Sequence, residues 1–184
     1  MLNSRREEAN RAFSAAAVLE DDSSATASST TAVWKHWGNH LEALFLNNYS
    51  ENTALNVGLQ ALACFLECAR ITSSTKSRPF IARVFWLIKM IYSAGSSLHQ
   101  PLEESLKRSV GGIPAANWLF WVNEIVGDVK QRPSHTGTMT ELLASVAEAY
   151  PQQVFPVLRA NLDVRKVRER VAKGKWRFFK ICHF

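Results

Sequence analysis

The sequence predicts an all-α protein, an α-solenoid or an array of degenerate helical hairpins. Apolar residues recur at three- and four-residue spacing in successive stretches of about 12 to 19 residues. Short polar segments, or segments with Gly and Pro, separate these stretches. No segment alternates with the period of two that a half-buried strand needs. Helix after helix with short connections is typical of helical-repeat arrays.

Composition narrows the class of protein further. The chain has 184 residues, which suits one domain or a piece of a larger array. A hydrophobic content of 47% excludes a wholly disordered chain, and three cysteines exclude a disulfide framework. The net charge of +6 is unevenly distributed, because residues 159–184 carry +7 and residues 1–158 carry −1. The body is therefore neutral, and the basic excess lies at the C-terminal end.

The first elements are a helix, a loop and a second helix. Residues 1–20 are rich in Ala, Glu and Arg and predict an N-terminal helix, without the apolar run of a signal peptide. Residues 21–31 are polar and rich in Ser and Thr, which predicts a loop. Residues 32–47 predict a helix in which Trp34 and Trp37 pack between helices.

Residues 53–71 show the clearest helical pattern, with two apolar stripes side by side. We expect Leu59, Leu62 and Leu66 to form the spine of this helix. The second stripe contains small residues, which let a neighbouring helix approach closely. Two stripes predict neighbours on two sides of this helix.

The following helix is predicted for residues 80–92, after a polar turn over residues 72–77. Pro79 suits its first position, where the missing N–H costs no hydrogen bond. The helix is apolar on nearly all sides and should be buried, but a membrane span needs about 20 such residues. A short helix over residues 101–110 has acidic residues first and basic residues last, and Gly111 and Gly112 end it.

Three helices are predicted in the last part of the chain. They cover residues 113–130, residues 138–150 and a segment from Pro151 toward Arg170, which Pro156 should kink. Large residues should fix the junction of these three helices, because buried aromatic side chains dominate packing energetics. The residues expected there are Trp118, Trp121, Tyr150, Phe155 and Pro156.

The sequence predicts no catalytic, cofactor-binding or metal-binding residue. Cys64 and Cys68 lie four residues apart, as do His36 and His40 on the preceding helix, so an antiparallel hairpin could place four zinc ligands together. Cysteines in an apolar helix are more typical of core packing. The basic and aromatic tail of residues 171–184 is predicted to be disordered, and its charge suits weak, non-specific contact with nucleic acid.

Five segments, in this order, carry a family resemblance. They read AVWKHWGNHLEALF, LNVGLQALACFLECAR, TKSRPFIARVFWLIKMI, GGIPAANWLFWVNEIVGDV and ELLASVAEAYPQQVFPVLR. Together they resemble the FAT region of the phosphatidylinositol-3-kinase-related kinases, over roughly residues 9–170. The Ile113-Pro114 pair before a Trp-rich helix is part of this resemblance, as is Tyr150-Pro151-Gln152 before Phe155-Pro156.

The resemblance is greatest to the branch of this family that has lost kinase catalysis. It implies a FAT-type helical repeat segment over residues 32–170, an α-solenoid of degenerate tetratricopeptide- and HEAT-like helical hairpins. It also implies a segment without enzymatic activity or cofactor, in a large pseudokinase scaffold. The implied partners are protein subunits of SAGA-like histone acetyltransferase complexes and neighbouring repeats of a longer parent chain, with no membrane. The implied setting is transcription regulation, chromatin and DNA repair in the nucleus. The alternative is a regulatory FAT segment of an active kinase. The tail matches nothing in the family, which suggests a fragment or a mis-predicted gene product.

Overall fold

The computed structural model describes residues 11, 12, 15, 27–47, 52–94, 99–131 and 137–161. In these ranges it contains helices and no strand, which confirms the all-α prediction. The helices are α1 (Ala27–Asn47), α2 (Asn52–Ile71), α3 (Ser74–Ala94), α4 (His99–Val110), α5 (Ala115–Trp118), α6 (Val122–Gln131), α7 (Gly137–Ala149) and α8 (Pro151–Asn161). A 3-10 turn, Leu119–Trp121, precedes α6.

The chain divides into two compact units, Met1–Asn117 and Trp118–Phe184. In the first unit, α2 packs against α1, α3 and α4. This arrangement confirms that α2 has neighbours on more than one side. In the second unit, α6, α7 and α8 pack against one another. Among the described residues, no helix is both long enough and apolar enough to cross a membrane.

Close contact between α1 and α2 depends on two glycines. A Cβ atom added to Gly38 would lie 3.0 Å from the ring of Phe65, and one added to Gly58 would lie 3.0 Å from the ring of Phe45. These contacts pair the middle of α1 with the later part of α2, and the end of α1 with the beginning of α2. The two helices are therefore antiparallel and form a hairpin, with the small residues at the close approach.

α3 begins earlier than the sequence analysis predicted. Its first residue is Ser74, so Pro79 lies inside the helix and not at its first position. The Ser77 N–H donates to the Ser73 carbonyl at 2.9 Å, and the Ser77 hydroxyl donates to the Ser74 carbonyl at 2.9 Å. These local bonds form a first turn from residues that the polar composition assigned to a loop. The apolar residues of the helix are largely buried, as predicted.

Other boundaries also differ. α1 begins at Ala27, five residues before the predicted start at residue 32. The prediction of residues 21–31 as one loop is therefore wrong for residues 27–31. Ser and Thr are weak helix formers, but the helix that they begin is stabilised by packing on α2. The predicted single helix of residues 113–130 is interrupted by the 3-10 turn.

Several predictions lie outside the described residues. Of the N-terminal helix of residues 1–20, the structure describes only residues 11, 12 and 15, which are helical. The continuation of α8 beyond Asn161 and the tail of residues 171–184 are not among the described ranges.

Candidate functional site

The two cysteines of α2 belong to the hairpin core. Cys64 and Cys68 are both buried, and the Cys68 thiol donates to the carbonyl oxygen of Thr31 on α1, with 3.7 Å between sulfur and oxygen. Burial raises the pKa of the Cys64 thiol, an effect to which Cys68 adds, and it raises the pKa of Cys68 to about 12. Nucleophiles need the thiolate, which burial of these two thiols disfavours.

The structure does not assemble the candidate zinc site. His36 is exposed, whereas Cys64 and Cys68 are buried. Within the ranges that the structure describes, no group of three or more His, Cys, Asp or Glu side chains is placed to hold a metal ion.

The residues expected to pack in the first unit differ in burial. Trp34 and Trp37 stack with ring centroids 5.3 Å apart, but each is half-buried, so the pair lies at the edge of the core. Leu62 and Leu66 are fully buried, whereas Leu59 is half-buried. The buried face of α2 also includes the small and aromatic residues of the second stripe: Gly58, Ala61, Phe65, Cys68.

In the second unit, Trp118 is fully buried and Trp121 is half-buried. The expected packing role of Phe155 and Pro156 is wrong, because both are exposed. Val154 is the buried residue of α8, and Val157 and Leu158 continue its face at helical spacing. The burial of Phe155 was predicted from the size of its side chain, but its position on the helix directs that side chain away from the core.

Tyr150 joins α7 to α8 through its backbone. Its N–H donates to the Val146 carbonyl of α7 at 2.8 Å, and its carbonyl accepts from the N–H groups of Gln153 and Val154 at 3.2 and 3.1 Å. The half-buried Tyr150 therefore connects the two helices directly, with Pro151 at the first position of α8.

Asn117 is a buried polar residue that the sequence analysis missed. Its side chain is 3% exposed, and its Nδ2 donates to the carbonyls of Ala69 at 2.7 Å and Thr72 at 3.1 Å. These carbonyls lie at the end of α2, where the helix no longer supplies partners. Asn117 therefore attaches the segment after α4 to the end of α2. The sequence contained one sign of this role, because the amide side chain of Asn117 lies between Ala116 and Trp118 in an otherwise apolar stretch.

A second missed contact joins α1 to α3. The Arg83 guanidinium donates to the Glu42 carboxylate at 2.7 Å, and the Glu42 side chain is 7% exposed whereas that of Arg83 is 54% exposed. A carboxylate removed from water needs such a partner. The pair connects two helices that are not neighbours in the sequence. These contacts all hold helices in register, so the best-defined site of the chain is a helix-packing site.

Comparison with known proteins finds relatives that match most of the chain. It is 33% identical over 159 residues, 86% of its length, to "Transcription-associated protein 1" of Caenorhabditis elegans. It is 27% identical over 166 residues, 90% of its length, to "Transformation/transcription domain-associated protein" of Homo sapiens. It is 28% identical over 174 residues, 94% of its length, to "SAGA complex/NuA4 acetyltransferase complex subunit Tra1" of Schizosaccharomyces pombe. The chain spans about 4% of the length of each relative. No protein-family model matches it.

Proposed function

Because the chain belongs to the family of transcription-associated proteins that includes Tra1, we propose that it is a helical scaffold segment of a subunit of histone acetyltransferase complexes. In this function it regulates transcription in the nucleus through protein–protein contacts and catalyses no reaction of its own. The observation that carries the proposal is the similarity to these relatives over 86 to 94% of the chain.

The architecture supports a scaffold. An antiparallel hairpin, close glycine contacts and buried polar bridges give a rigid set of helices. Rigid helical arrays offer extended surfaces for partners. We extend the proposal to residues 32–170 as one FAT-type repeat segment, of which the described residues make up most.

The proposed partners are acetyltransferase-complex subunits and neighbouring repeats of the parent chain. The Schizosaccharomyces pombe relative is a subunit of both the SAGA and the NuA4 acetyltransferase complexes. Sequence similarity over 86 to 94% of the chain suits a segment that occupies the same place in such an assembly.

Purification from cells tests the proposal. The tagged chain, isolated from nuclear extract, should carry histone acetyltransferase activity above that of an untagged control. A Trp118→Ala variant, which lacks a fully buried side chain, should recover much less activity. A folded, soluble chain that recovers no acetyltransferase activity would contradict the proposal. Recovery of protein kinase activity would instead favour a regulatory segment of an active kinase.

A further inference from the structure

A cavity of about 470 Å³ lies in the first unit, where α2 ends and α3 begins. α1 contributes Thr31 and Lys35 to its wall, the turn after α2 contributes Ser73, and α3 contributes Lys76. Three separate segments therefore converge on one space. We call this space the lysine pocket.

The charge of the lysine pocket is positive. Lys35 and Lys76 come from two different helices, and the residues that line the pocket include no acid. Both lysines are exposed, and within the described part of the chain neither takes part in a salt bridge. Among the described residues, no carboxylate of the pocket wall neutralises these two ammonium groups.

Polar and apolar groups complete the wall. The Ser73 side chain is exposed and offers a hydroxyl donor, whereas the Thr72 hydroxyl already donates to the Cys68 carbonyl at 2.6 Å. Ile71 and Phe80 add half-buried apolar surface. A ligand that fits this wall carries a strong negative charge beside an apolar group.

We propose that the lysine pocket binds a phosphorylated serine or threonine side chain of a protein partner. A phosphoryl group carries a charge of about −1.5 to −2 near neutral pH and three acceptor oxygens, which matches a wall with two ammonium groups and a hydroxyl donor. A carboxylate carries one charge and neutralises only one lysine. The apolar wall and the volume accommodate the residues on either side of the phosphorylated one. This proposal goes beyond the scaffold function and does not depend on it.

Titration of model peptides tests the proposal. The probes are a fluorescent peptide with one phosphoserine flanked by Ala and Leu, the same peptide with Ser or Glu at that place, and inorganic phosphate. We expect the phosphopeptide to bind and the Ser peptide to bind at least about tenfold more weakly, since charge-assisted hydrogen bonds are lost. Equal binding of the Glu and phosphoserine peptides would overturn the proposal in favour of a carboxylate site. Inorganic phosphate that binds as tightly as the phosphopeptide would overturn the protein partner in favour of a free anion.

A matched pair of double variants separates the pocket from the net charge of the chain. Lys35→Gln with Lys76→Gln removes both ammonium groups from the pocket. Lys107→Gln with Lys130→Gln removes the same charge from exposed positions outside it. We expect the first pair to weaken phosphopeptide binding by about tenfold or more and the second by less than about twofold. Equal losses in the two would overturn the proposal and assign the binding to non-specific charge. Circular dichroism confirms that both variants are folded.

Discussion

The two compact units bury their residues differently. In the first, side-chain bonds join segments far apart in sequence: Arg83 bonds to Glu42, 41 residues away, and Asn117 bonds to Ala69, 48 residues away. In the second, consecutive helices pack on a core of aliphatic residues and the fully buried Trp118, while Phe120 and Phe155 stay 60% and 46% exposed. Among the described residues of the first unit, the exposed large hydrophobic residue is Leu46, with 45% of its surface accessible.

This difference shows that residue size alone does not decide which residues hold a helical array together. In the first unit, polar side chains such as Asn117 and Glu42 add to a large apolar core by pairing with partners far away in the sequence. Two large aromatic residues contribute little to the core of the second unit because of their position on the helix. Substitutions in the two units can test this conclusion.

The largest effect is expected for Trp118→Ala in the second unit. The side chain is fully buried, and replacing a buried Trp by Ala typically costs about 3–5 kcal/mol of unfolding free energy. Urea denaturation followed by circular dichroism at 222 nm measures the change. Phe120→Ala, two residues away but 60% exposed, is the control and should cost less than about 1 kcal/mol. Similar losses in the two variants would show that size, and not burial, determines the cost.

Asn117→Ala should have the next largest effect, in the first unit. The substitution removes two hydrogen bonds and leaves the carbonyls of Ala69 and Thr72 without this donor. Leaving a buried polar group unsatisfied costs about 1–3 kcal/mol, which thermal unfolding can detect. Asn123→Ala, at an exposed position of α6, should change stability by no more than about 0.5 kcal/mol. An Asn117→Ala variant as stable as the wild type would refute the bridging role.

The same Gly→Ala substitution should have opposite effects in the two units. At Gly58 the new Cβ would meet the fully buried ring of Phe45 at 3.0 Å, and the overpacking should outweigh the gain in helix propensity by about 1 kcal/mol. At Gly127 in α6 no atom lies within 4 Å of the new Cβ, so Ala should stabilise by about 0.5–1 kcal/mol. Both shifts can be read from urea midpoints. Stabilisation at both positions would mean that the α1–α2 hairpin tolerates a wider separation than the structure gives it.

The sequence was sufficient to predict the helices, but it was not sufficient to predict the contacts between them. Three- and four-residue spacing identified every long helix, because the buried stripe of a helix is visible in one segment. The bonds of Asn117 and Glu42 depend on residues more than 40 positions away, which no local pattern reveals. The starts of α1 and α3 were predicted late because their first residues are rich in Ser and Thr, which composition assigns to loops. In α3, the bonds of Ser77 to the Ser73 and Ser74 carbonyls form this first turn. Burial of Phe155 was predicted from size, although its position relative to Val154, Val157 and Leu158 already placed it off the apolar face.

The smallest effect is expected for Phe155→Ala, and it tests the comparison most directly. Phe155 is 46% exposed, so the substitution removes only about half of the surface that a core Phe buries and should cost no more than about 1 kcal/mol. Val154→Ala, one residue earlier and fully buried, should cost more, although its side chain is smaller. Paired urea denaturation curves give the order of the two losses. A greater loss for Phe155→Ala would mean that α8 is held by the other side of the helix. Size, and not position on the helix, would then decide which residues stabilise the second unit.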